Sequence, residues 1–159
     1  MRILIIEDNL LKREKIVEFL LTYSGAEIVE AASYNSGLVA AELGGYDLMV
    51  LDMSMPTFDR SESTQGGRFR SLAGKEIATK LNKSGRLTPF IVLTGYKDFS
   101  FNSQNLSIQQ IHDLLTTFGE PYKGCVLFNS AEILWQEQLS NIIDALPASD
   151  GSKLTGESE

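Results

Sequence analysis

Cysteine occurs once in the 159 residues, at Cys125, so no internal disulfide can form and the chain must be held by its core. Long apolar runs are missing too. None approaches the roughly 20 residues that span a bilayer, and the opening MRILII is too short for an export signal and runs straight into the acidic pair Glu7-Asp8. Both absences fit a soluble protein of the cytoplasm with no membrane partner. Basic side chains are scarce, 14 Lys and Arg against 21 Asp and Glu, for a formal net charge of −7. Binding to nucleic acid draws on Lys and Arg to neutralise phosphates. The expected partners are therefore proteins, a metal ion or a small phosphodonor, and not nucleic acid.

What remains is ordinary for one domain, with 43% apolar and 22% charged residues. Short runs rich in Ile, Val and Leu alternate with helical patterns, which marks βα units around a parallel sheet. Five strands are predicted, at residues 2–6, 27–30, 47–51, 89–93 and 124–128. The second alternates and reads as an edge; the last three are continuously apolar, as in strands covered on both faces. Helices are predicted at 9–23 (Leu11, Ile16, Phe19, Leu20), around Leu38 to Leu43, at 72–83 (Ile77, Leu81), at 107–118 with Ser107 as cap, and at 131–146 around Trp135 and Leu139. Residues 1–146 form the domain. From Pro147 the segment PASDGSKLTGESE has too little apolar surface to repay ordering, so 147–159 is expected to be a disordered tail. Two stretches, 57–71 and 95–105, are polar or mixed and read as loops that follow strand ends and frame a site.

The chemistry concentrates at strand ends. Glu7 and Asp8 close the first strand, Asp52 the third and Thr94 the fourth. If the first and third strands are neighbours, their carboxyl ends flank the topological switch point where open α/β sheets bind ligands. Three carboxylates in one crevice repel one another, and a divalent cation relieves this; Mg²⁺ suits hard oxygen ligands, including a backbone carbonyl after Asp52. Asp52 is then placed as a nucleophile that could form an acyl phosphate, with the Thr94 hydroxyl positioned to contact it and Gly95 leaving room. Each residue alone has a plainer reading, Asp52 as a turn cap and Thr94 as a strand residue. Their order along three strand ends favours the joint one.

From IIEDN through LDMSMP to IVLTG, residues 1–146 resemble the receiver domain of two-component response regulators. The resemblance implies a flavodoxin-like (βα)5 doubly wound parallel sheet in the order 2-1-3-4-5. By position it implies Asp52 as phosphoacceptor, Mg²⁺ held by Glu7, Asp8, Asp52 and the Ser54 carbonyl, and Thr94 against the phosphoryl group. It also implies a histidine kinase or phosphotransfer protein upstream and an effector protein downstream, in a phosphoacceptor rather than an enzyme. A homodimer stays open. A second reading is a pseudo-receiver that binds proteins without phosphorylation. A metal-dependent nuclease or Toprim-like enzyme would want an acid two residues after Asp52, where Ser54 stands, and a basic substrate track.

The chain departs from that family at the end of the fifth strand. A Lys is expected there to pair with the phosphoryl group, but the sequence reads GCVLFNSAEIL, with Phe128 or Asn129 at the position according to register and Cys125 where a switch aromatic is expected. A charge pair at 4 Å is worth about 4 kcal/mol at an effective dielectric of 20, so the missing cation matters. Either Arg60, Arg68 or Arg70 reaches back to replace it, or 57–71 is a solvated insertion. Lys97 and Lys123 are weaker candidates, and His112 reads as a surface side chain. Gly74, in LAGKEIA, matches the family glycine but lies far downstream of Pro56.

Overall fold

The structure is a computed structural model that describes residues 1–95, 98–101 and 104–147, with only the main chain for 98–101 and 104–105. The expected tail beyond Pro147, Lys97, and the side chains of Phe99 and Phe101 lie outside the described residues. The central sheet contains β1 (Arg2–Ile6), β2 (Glu27–Ala31), β3 (Leu48–Leu51), β6 (Phe90–Thr94) and β9 (Tyr122–Leu127). Its order is β2-β1-β3-β6-β9, with every pairing parallel. Counting only these five strands, that is 2-1-3-4-5, the flavodoxin-like arrangement.

Strand periodicity divides the core in two. Leu4, Ile6, Met49, Leu51, Phe90 and Val92 point to the face covered by α2 (Tyr34–Glu42), α3 (Ala73–Lys83) and α4 (Ile108–Leu115). Ile3, Ile5, Leu48, Val50, Ile91 and Leu93 point to the face covered by α1 (Leu10–Leu20) and α5 (Leu134–Asp144). Each fully buried Ile or Leu stabilises the fold by about 1.5–3 kcal/mol relative to exposure. The three middle strands are therefore the rigid part of the sheet.

Several expectations need adjustment. β9 is an edge strand in which only Val126 is fully buried, so its apolar run does not mean cover on both faces. Its register shifts at Phe90/Ile91, beside Gly124, whose φ of 143° suits glycine. In α1 the buried positions are Lys12, Ile16 and Leu20, while Leu11 is exposed. Val39 and Leu43 of the second helix are also exposed; Tyr34, Gly37 and Ala41 face inward. Ser107 caps α4 as expected, accepting from the Gln110 amide at 3.2 Å.

The two stretches read as loops carry ribbons. Met55–Pro56 (β4) pairs antiparallel with Phe69–Arg70 (β5), and a Ser61–Thr64 bridge continues the excursion. Asp98–Phe101 (β7) pairs antiparallel with Gln104–Ser107 (β8). The first ribbon is tied to the start of α2 through Asn35 N–H to Thr57 carbonyl, 2.8 Å, and Ser36 Oγ to Asp59, 2.7 Å. Among the described residues, no helix is long and apolar enough to cross a membrane.

Candidate functional site

β1 is hydrogen-bonded to β2 on one side and β3 on the other, so the chain segments leaving β1 and β3 diverge and open a crevice. Ligand oxygens of Glu7, Asp8 and Asp52 lie there within 4.8 Å of one another. Glu7 is anchored by its own amide to the Ala31 carbonyl at 2.9 Å, and Asp52 by its amide to the Ile6 carbonyl at 3.1 Å. Both acids thus extend the strand ladders and inherit their rigidity. Both are buried; Asp8 is half-buried.

The segment after Asp52 is held closely. Asp52 Oδ1 accepts the Met53 amide at 2.7 Å, and the Gly74 amide donates to the Met53 carbonyl at 2.9 Å. A Cβ on Gly74 would stand 2.7 Å from the Asp52 carbonyl oxygen, which explains why glycine occupies this place in the first turn of α3. Ser54 is buried and borders the cleft, whose volume is about 630 Å³. Thr94 ends β6, next to β3, and is fully buried.

No cation stands at the end of β9 among the described residues, but Lys12 of α1 reaches the crevice. Lys12 Nζ lies 2.6 Å from Glu7 Oε1, 3.2 Å from Asp52 Oδ2 and donates to the Leu93 carbonyl at 2.7 Å. Its side chain is only 9% exposed. The local sequence explains the placement. Asn9 caps α1, accepting the Lys12 amide at 3.0 Å, and its own amide donates to Glu7 Oε2 at 3.0 Å. Lys12 therefore falls in the first helical turn, on the Ile16–Leu20 face, directed into the crevice. Phe128 lies just beyond β9, its amide bonded to the Thr94 carbonyl, and its ring centre is 5.7 Å from Lys12 Nζ. Asn129 instead makes a turn, accepting the Ala131 amide.

Of the three candidate arginines, Arg60 reaches the site, but at Asp8, with an ion pair of 2.6 Å. Arg70 turns to Glu76 and over the Tyr34 ring, and Arg68 is exposed. Lys123 pairs with Glu120 on the surface. His112 is half-buried and its Nδ1 lies 2.7 Å from the Tyr122 hydroxyl. Lys12 was missed because a lysine three residues after a cap looks solvated. Its spacing of four from Ile16 and eight from Leu20 was the available signal.

Electrostatics follow from this geometry. Burial raises the Glu7 carboxyl to about 7; the charge of Asp52 acts in the same direction, and Lys12 opposes both. Glu7 Oε1, although ion-paired to Lys12, has no well-directed hydrogen bond. A buried oxygen of this kind, in a set of hard carboxylate donors, fits a small divalent cation such as Mg²⁺. Burial likewise pushes the Cys125 thiol up to about 12, with Asp52 adding to the effect.

No family model matches the chain. It is 30% identical over 151 residues to the Detocs response regulatory protein DtcB of Enterobacter cloacae (strain JD6301), covering 92% of this chain and all of that protein. An uncharacterized Sinorhizobium fredii protein, y4jR, is 24% identical over 89% of this chain and 95% of its own. Among solved structures, response regulator TrrA of Thermotoga maritima, in complex with Mg²⁺-BeF, superposes with a TM-score of 0.59 at 23% identity, covering 89% of this chain and 97% of its own. The chemotaxis response regulator CheY4 of Vibrio cholerae gives 0.60 at 18% identity, over 89% and 97%. With the sheet order, the acidic crevice and a relative matched over its whole length, the chain belongs to the response regulators as a receiver domain.

Proposed function

We propose that the protein is a phosphoacceptor in two-component signalling, with Asp52 as the residue modified. The observation that carries this reading is the convergence of Glu7, Asp8 and Asp52 within 4.8 Å at adjoining strand ends. Oδ1 accepts the Met53 amide and Oδ2 faces Lys12 Nζ at 3.2 Å, so Oδ2 would be the oxygen that attacks phosphorus, beside a cation. The new O–P bond gives an acyl phosphate as the bond to the donor breaks, and the leaving group takes the electron pair. The donor would be a histidine kinase, a phosphotransfer protein or a small acyl phosphate. Glu7, Asp8, Asp52 and the Ser54 carbonyl would hold Mg²⁺, which neutralises charge on the transferring group. Thr94, at the end of β6, would contact a phosphoryl oxygen. Output would pass to an effector protein in the cytoplasm by surface contact, without hydrolysis of a separate substrate.

One observation favours the second reading, a phosphorylation-independent protein-binding module. Lys12 and Arg60 already engage the three carboxylates, so the acids have counter-ions without a metal. Intact-mass measurement after incubation with acetyl phosphate and Mg²⁺ separates the two. A single phosphoryl adduct that is lost in Asp52→Asn supports the receiver; an unmodified wild-type chain favours the binding module.

A further inference from the structure

An ammonium group is costly to bury unless it is well paired. The first turn of a helix is also the wrong place for a cation, because the macrodipole there is positive. Lys12 meets both penalties, being buried and lying three residues after the Asn9 cap. A side chain that served only to cover α1 would be apolar, like Ile16 and Leu20 on the same face. Where local preference is overridden in this way, a site requirement is the usual cause.

The position of the charge indicates the requirement. Lys12 Nζ lies 3.2 Å from Asp52 Oδ2, while Oδ1 accepts the Met53 amide. It also stands over the Phe128 ring, the residue at the position where the family resemblance puts a lysine. The Leu93 carbonyl holds the ammonium from β6, so the group is tied to the sheet as well as to its own helix. When Asp52 Oδ2 is esterified, its negative charge moves outward onto the phosphoryl oxygens. The four-carbon stem of lysine, with freely rotating donors, allows the ammonium to follow it.

We propose that Lys12 is the cation that pairs with the phosphoryl group on Asp52, so that α1 supplies what the end of β9 lacks. The inference rests on Asp52 being a phosphoacceptor, as argued above. In the resting site Lys12 shares Glu7 and Asp52 with any metal and so competes with it. Its two effects have opposite signs: it aids phosphoryl transfer and weakens metal binding.

The test uses the full chain, acetyl phosphate with Mg²⁺ and intact mass for the rate, and calorimetric titration with Mg²⁺ alone for the metal. Lys12→Met should lower the rate of adduct formation by at least about ten-fold while tightening Mg²⁺ binding by about three-fold. Returning the charge to the fifth strand, in Lys12→Met/Phe128→Lys, should bring the rate back to within about three-fold of wild type. Wild-type rate in Lys12→Met, with Asp52 still modified, overturns the inference and leaves the receiver reading intact. Parallel loss of rate and of Mg²⁺ affinity also overturns it, since it would make Lys12 a structural residue. The double variant decides the matter if the single one does not fold: a folded double variant without adduct overturns the inference. A wild-type chain that is never modified removes the phosphoacceptor reading itself.

Discussion

The carboxyl ends of β1 and β3 and the carboxyl end of β9 build the same crevice in opposite ways. At β1 and β3 the acids are continuous with buried strands, fixed by the ladder bonds Glu7–Ala31 and Asp52–Ile6. At β9, a half-exposed edge with a register shift, the expected charge is absent and an aromatic ring stands in its place. The lesson is that a site demands a charge at a point in space, and the nearest element able to reach that point can supply it. Here the strands hold the acids, and the buried cation beside them stands on a helix.

Three substitutions probe this contrast, beginning with the greatest expected loss. Gly74→Val forces a side chain against the Asp52 carbonyl and the Leu51 side chain, which a Cβ would approach to 2.7 and 2.8 Å. It should destabilise the fold by about 3 kcal/mol in urea unfolding, and a stability unchanged from wild type would show that the acidic side is not rigid. Phe128→Ala removes a half-buried ring that packs on Trp135 with centroids 5.0 Å apart. It should cost about 2 kcal/mol, less than the 3–5 kcal/mol of a fully buried Phe. A loss equal to the Gly74 variant's would erase the distinction between the two ends. Arg60→Ala breaks a half-exposed ion pair with Asp8 and should change stability by under about 1 kcal/mol. Freeing Asp8 should tighten Mg²⁺ binding by about two- to three-fold in calorimetry; weaker binding would mean that Arg60 supports the metal side.

Much of this was legible in the sequence because burial and strand ends leave strong marks. β1, β3 and β6 are apolar runs that stop at charged or hydroxyl residues, so both the sheet and the acids Glu7, Asp8 and Asp52 could be read together. The ribbons were less visible, since two-residue strands such as Met55–Pro56 and Phe69–Arg70 give no periodicity above their polar surroundings. Lys12 was illegible for a different reason. Its value lies in contacts with Asp52 and Leu93, which are distant in sequence, and lysine on a helix is solvated by default.

The Asn9 cap joins the two halves of the electrostatic balance. Its amide holds Glu7 and its side chain sets the turn that delivers Lys12, so an acid of the site and its counter-ion are written within one short stretch of chain. With the charge balanced locally, the end of the fifth strand can hold a packing residue such as Phe128, set against Trp135. The crevice therefore carries its counter-ion on the same short segment that bears Glu7, and a change at Asn9 would disturb both signs of charge at once.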